Sequence, residues 1–179
     1  MSVAILLGSG GGAALGILAV ETELPLFLDS IGTAVVAALF GAFPGMLTGL
    51  LTNYLADLFN PSNPIFLSFA PVNMVTGFLV GYVSWRFDLS RPGTVAALIA
   101  LVTFANVLLG TATVVWLHSG TTATSIDYLV TALVLTGRSL FSSAFLARIP
   151  TNLVDKTIAL FAAYGAYRWA FTPFRVRGG

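Results

Sequence analysis

The stretch Val95-Ala96-Ala97-Leu98-Ile99-Ala100-Leu101-Val102-Thr103-Phe104-Ala105-Asn106-Val107-Leu108-Leu109-Gly110-Thr111-Ala112-Thr113-Val114-Val115-Trp116-Leu117 contains no charged residue. A spanning helix needs roughly 20 predominantly apolar residues, and this run exceeds that. It does not alternate with period two, so it is not a strand of a membrane barrel with a polar lumen. In lipid the backbone must bond to itself, which leaves the helix. The rest of the chain reads the same way. Of 179 residues, 57% are hydrophobic and only 8% charged, with a mean hydropathy of +0.93. A soluble domain carries about 25% charged residues. So few charges cannot coat a water-exposed surface. The expected fold class is an all-α membrane protein.

Working outward from that run, breakers divide the chain. Helices are expected at about 3–20, 29–42, 45–59, 66–86, 93–117 and 150–171. Glu21, Glu23 and Pro25 end the first. Gly41-Ala42-Phe43-Pro44-Gly45, Asn60-Pro61-Ser62-Asn63-Pro64 and Asp88-Leu89-Ser90-Arg91-Pro92-Gly93 are turns. Val3 to Val20 has no basic n-region and is read as a retained first helix, not a signal peptide. Ile126 to Ile149 is long enough to span but carries Arg138 near its middle. A mid-membrane arginine costs at least about 2.5–3.5 kcal/mol.

Charge placement agrees. With six spans, Arg86, Arg91, Arg168, Arg175 and Arg177 lie cytoplasmic, while Glu21, Glu23, Asp29 and Asp127 lie outside. Residues 118–149 are therefore expected as a long outer loop or re-entrant helix. The alternative is a true span with Arg138 facing a polar interior. The whole chain is expected as one transmembrane domain with both termini cytoplasmic.

Polar residues gather near one level. Asn53 and Asp57 share a face of the third helix; Asn73, Gly77 and Gly81 share one on the fourth; Asn106 and Gly110 share one on the fifth. Asn152, Asp155 and Lys156 form a patch at the start of the last helix. Each asparagine alone suits a helix–helix hydrogen bond, and Asp155 with Lys156 suits a structural pair. Four such patches at one level mark a ligand path. Phe27, Tyr54, Phe66, Phe69, Trp116, Tyr128, Phe141 and Phe145 lie near it, as interfacial belt residues or as the apolar wall of a small-molecule site. Gly8, Gly12 and Gly16 give the first helix a smooth face, for packing within the bundle, for a partner protein, or for a homodimer.

Catalysis finds no support. His118 is the one histidine and cysteine is absent, so neither a metal site nor thiolate chemistry is expected. No G-x-S-x-G, H-E-x-x-H or P-loop is present, so any active transport draws its energy from a partner or a gradient. No cofactor is expected. A net charge of +1 offers no basic surface for nucleic acid.

The run from Phe27-Leu28-Asp29-Ser30-Ile31-Gly32-Thr33-Ala34 through Leu39-Phe40-Gly41-Ala42-Phe43-Pro44-Gly45 to Asn53 resembles the second and third helices of energy-coupling factor (ECF) transporter S-components, the small vitamin-binding membrane subunits of bacterial uptake systems. Pro71-Val72-Asn73-Met74-Val75-Thr76-Gly77-Phe78-Leu79-Val80-Gly81 is similar to their fourth helix, and Ile149 to Ile158 to the start of their sixth. The resemblance implies a six-helix bundle in the bacterial cytoplasmic membrane with an outer-side ligand pocket. Segments 21–28, 60–65 and 118–149 would act as lids. It implies a small vitamin-like ligand held by Asn73, Asn106, Asn152 and Lys156, with Phe69, Trp116 and Tyr128 stacking on its ring. Asp155 would orient Lys156, and Asn53 and Asp57 would support a lid. It implies partners too: a transmembrane coupling subunit and ATPases, docked through a small-residue face on the first helix. The family usually has alanines there, where this chain has Gly8, Gly12 and Gly16. Membrane input domains of some bacterial sensor kinases share the Leu28-to-Thr33 resemblance. A signalling output domain is therefore the alternative partner, and the arginine-rich end after Phe174 suits a join to one.

Overall fold

The computed structural model describes residues 1–175, with side chains to residue 171. Arg177 and the side chain of Arg175, used above for orientation, lie outside the described residues. The described residues fold into seven α-helices: α1 Ser2–Glu21, α2 Ser30–Phe40, α3 Ala42–Phe59, α4 Ala70–Arg86, α5 Pro92–Leu117, α6 Ile126–Leu135 and α7 Leu140–Arg175. A 3-10 turn, Phe66–Phe69, leads into α4. Three helical segments, Ser2–Glu21, Phe66–Arg86 and Pro92–Leu117, are long and apolar enough to cross a membrane.

Local chemistry sets the boundaries. Gly41, at φ 98°, takes a backbone conformation that a side chain resists, and so separates α2 from α3. Pro71 and Pro92 sit in the first turns of α4 and α5, where a missing N–H costs nothing. α2 occupies the centre and packs against α1, α3, α4 and α7. It can do so because it is slim: Ser30, Thr33, Ala34, Ala37 and Ala38 are all buried. One half of the bundle is closed by an apolar core of Ala34, Ala37, Val80, Leu98, Val102, Ala159, Leu160 and Ala163. The polar residues lie beyond it.

The segment 118–149, expected as a long outer loop or re-entrant helix, holds one short helix and the first turns of the last one. α6 has ten residues, about 15 Å at 1.5 Å per residue, half of a membrane crossing. Arg138 is exposed in the break between α6 and α7. The last helix starts at Leu140, ten residues before the expected 150. Pro150, where the helix was expected to begin, lies inside it. A proline inside a helix removes one backbone bond. Packing offsets that loss, because Ala144 and Ala147 are buried against Ile126 and Val130 of α6.

The glycine face of α1, open to packing, to a partner or to a homodimer from spacing alone, lies against the bundle. A side chain on Gly12 would meet the Asp29 carbonyl at 2.5 Å and Thr52 at 3.0 Å; one on Gly16 would meet Asp29 Cβ at 3.1 Å. One on Gly8 would meet Val36 and Thr48 at 2.8 and 3.2 Å. The three glycines seat α1 on α2 and α3 and are not a free docking face. Gly10 and Gly11, with nothing within 4 Å, point outward.

Candidate functional site

A cavity lies among α1, α2, α4, α5 and α7, under the segments that connect them. α7 supplies one polar face: Arg148, Asn152 and Lys156 follow at four-residue steps and all line it. Asn73 from α4 and Asn106 and Gly110 from α5 line the opposite side. Phe27, Ile65, Phe66, Phe69 and Val72 make the apolar wall, and Asp29, Thr122 and Thr124 complete it. The open volume is about 60 Å3, room for a few waters.

At one end stands a charged cluster. Lys156 Nζ donates to Asp155 at 2.6 Å and to Ser30 Oγ at 2.8 Å. The other Asp155 oxygen accepts the Leu28 backbone N–H at 2.7 Å. Leu28 has φ 53°, a left-handed conformation that costs a leucine of order 1 kcal/mol or more, and Asp155 holds it there. Asp29 is within electrostatic reach of both Lys156 and Asp155. Asp155 and Lys156 are buried and Asp29 is half-buried, and Asp155 and Lys156 form an ion pair.

The asparagines form a relay between helices. Asn73 donates to the Asn53 carbonyl oxygen at 2.8 Å, and Asn53 donates to the Phe66 backbone carbonyl at 2.6 Å. The Asn73 side-chain oxygen is buried with no hydrogen-bond partner. Asn106 donates to Thr76 Oγ1 and to the Val102 carbonyl, both at 2.9 Å. Asn152 donates to the Arg148 carbonyl at 2.9 Å.

Two covering segments are tied down by carboxylates. Asp57 accepts the N–H groups of Phe66 and Leu67 at 2.7 and 2.9 Å, pinning the 3-10 turn that carries Phe66 and Phe69. Asp127 accepts the Thr122 N–H at 2.7 Å and its hydroxyl at 3.1 Å. His118 joins the two segments: Nε2 lies 2.7 Å from Ser68 Oγ, and its ring stacks on Phe69 at 6.0 Å. Charge-assisted bonds contribute about 1.5–3 kcal/mol each. Asp57→Ala is therefore expected to speed amide hydrogen exchange in residues 60–69 by at least about tenfold, read by mass spectrometry. Asp57→Asn, keeping one acceptor oxygen, should fall between. Equal exchange in all three proteins would mean the turn is held by packing alone.

Of the expected ligand residues, Asn73, Asn106, Asn152, Lys156 and Phe69 come together around the cavity. Trp116 and Tyr128 do not: they are 76% and 74% exposed. On α5, Asn106 and Gly110 line the cavity, while Trp116 falls on a separate, exposed side of the helix, where an interfacial belt residue belongs. Arg148 was missed. It lies four residues before Asn152 and continues the polar face, a signal that becomes visible once the helix is drawn through Pro150. A protein-family model described as ECF-type riboflavin transporter, S component, matches residues 10–167. No curated protein and no solved structure matches the chain.

Proposed function

Because the chain belongs to the family of ECF-type riboflavin transporter S components, we propose that it captures a small vitamin-like nutrient from outside the cell for an ECF-type uptake system. A flavin is the first candidate ligand, on the strength of the family's name. The observation that carries the proposal is the convergence of Asn73, Asn106, Asn152 and Lys156 on one cavity walled by Phe27, Phe66 and Phe69. A few fixed polar groups in an apolar, aromatic wall are what orients a small heterocycle. The amides and the ammonium would bond the ring's polar edge, while the phenyl rings cover its faces.

The present opening is too narrow for a ring system, so the covering segments 21–28, 60–65 and 118–125 must part to admit one and close over it. The protein would sit in the bacterial cytoplasmic membrane with both termini inside. Energy would come from ATPases acting through a membrane coupling subunit. With Gly8, Gly12 and Gly16 turned inward, the outward face for that subunit on α1 would be the open side around Gly10, Gly11 and Ala14.

The test is equilibrium binding of riboflavin and a panel of other water-soluble vitamins to the purified protein. At least one should bind with a Kd below about 1 μM, some 8 kcal/mol of binding free energy. Asn152→Ala should weaken it about tenfold, the loss of one buried hydrogen bond. If Asn152→Ala and Lys156→Ala both leave affinity unchanged, the ligand does not lie in this cavity. Co-purification with a coupling subunit and ATPases would separate uptake from sensing.

A further inference from the structure

Arg148 is the largest fully buried side chain among the described residues, 1% exposed. It lines the cavity, yet among the described residues its guanidinium makes no hydrogen bond and no ion pair, and its Nε has no partner at all. The charge closest in effect is that of Asp127, whose oxygens are already engaged by Thr122. What surrounds the guanidinium is aromatic: its Cζ stands 5.7 Å from the Phe27 ring centre and 5.8 Å from that of Phe69. Rings offset part of the burial cost of a cation but leave most of its N–H donors unbonded. A buried charge is normally paired, because an unpaired one is costly. The planar fork of donors matches two oxygens held side by side, as in a carboxylate or phosphate.

The charged cluster at and beside the other end of the cavity has the opposite sign. Asp29, Asp155 and Lys156 sum to a formal −1 at one end, and Arg148 contributes +1 at the other. Arg148 and Lys156 are eight residues apart on one helix, about 12 Å along its axis. We propose that Arg148 is a specificity-determining residue that reads an oxyanion, a carboxylate or a phosphate monoester, on the tail of the ligand, whose ring lies toward Lys156. The inference rests on the flavin reading above and deepens it: the preferred flavin carries an acidic tail.

Calorimetric titration of the purified full chain with two matched pairs tests this. One pair is riboflavin and riboflavin 5′-phosphate; the other is lumiflavin and its carboxymethyl analogue at the same ring nitrogen. The anionic member of at least one pair should bind at least about tenfold tighter than its neutral partner, and which pair does so tells phosphate from carboxylate. In Arg148→Gln that ratio should collapse to about one, while Arg148→Lys, keeping the charge without the fork, should retain part of it. Equal binding within both pairs, or a preference that survives Arg148→Gln, overturns the proposal while leaving flavin capture intact. Failure of all four compounds to bind removes the flavin reading and this one with it.

Discussion

Gly77→Val lowers the melting temperature of the detergent-purified protein by at least about 6 °C, whereas Gly165→Ala leaves it within about 2 °C. Both changes replace a glycine inside a long helix with a better helix former, so intrinsic propensity predicts a loss from neither. Surroundings do. A side chain on Gly77 lands on the backbone of Gly45 and Met46, because α3 and α4 cross there main chain against main chain. Gly45 faces Gly77 in return, and Gly49 lies against the backbone of Asn73 in the same seam. No flexible side chain is present to give way, so the helices must separate. Separation breaks the Asn73-to-Asn53 bond and with it the relay to Phe66. Ligand affinity should therefore fall together with stability. A side chain on Gly165 meets nothing within 4 Å and enters open space. A Gly77→Val protein as stable as the parent would mean that α3 and α4 are not in backbone contact.

The seam shows what the sequence could and could not reveal. Gly77 and Gly81 were visible as a small-residue face beside Asn73, and such faces predict close helix approach in a membrane. Their partner was not visible, since spacing along one helix does not say which other helix it meets. The same limit left the reading of Gly8, Gly12 and Gly16 open between packing inside the bundle and docking outside it. Only the positions of Asp29 and Thr52 decide between them. Composition and apolar runs sufficed for the fold class because solvent alone dictates it. They failed at Pro150, the expected start of the last helix, where tertiary packing of Ala144 and Ala147 on α6 carries the helix ten residues further upstream. That failure hid Arg148. The asparagines were legible for the opposite reason: a polar residue in an apolar helix has few places to go. Trp116 and Tyr128 were ambiguous from the start, since an aromatic residue serves a belt and a pocket alike.

The buried charges supply the second large effect. Lys156→Met should destabilise the protein by about 3–5 kcal/mol, the cost of breaking a buried pair from one side. Asp155→Asn should cost clearly less. On a simple pair model the two would be equivalent, because each leaves one partner alone. The third member changes the expectation. Asp29 is half-buried within electrostatic reach of Lys156, so the cluster carries a formal charge of −1. Lys156→Met takes it to −2, two carboxylates facing each other without a cation. Asp155→Asn takes it to zero, leaving Lys156 with Asp29 and Ser30. The asparagine keeps an oxygen that can accept the Leu28 N–H now held at 2.7 Å, so the strained turn at Leu28 stays fastened. The double variant returns the cluster to −1 and should recover part of what Lys156→Met loses, a coupling that a double-mutant cycle measures directly. Thermal unfolding in detergent gives the ranking. Ligand titration then separates fold from site: the double variant regains stability but not affinity, since it lacks the ammonium that faces the cavity. If Asp155→Asn proves as costly as Lys156→Met, Asp29 does not share the lysine's charge, and Asp155 alone fastens the 21–28 segment to α7.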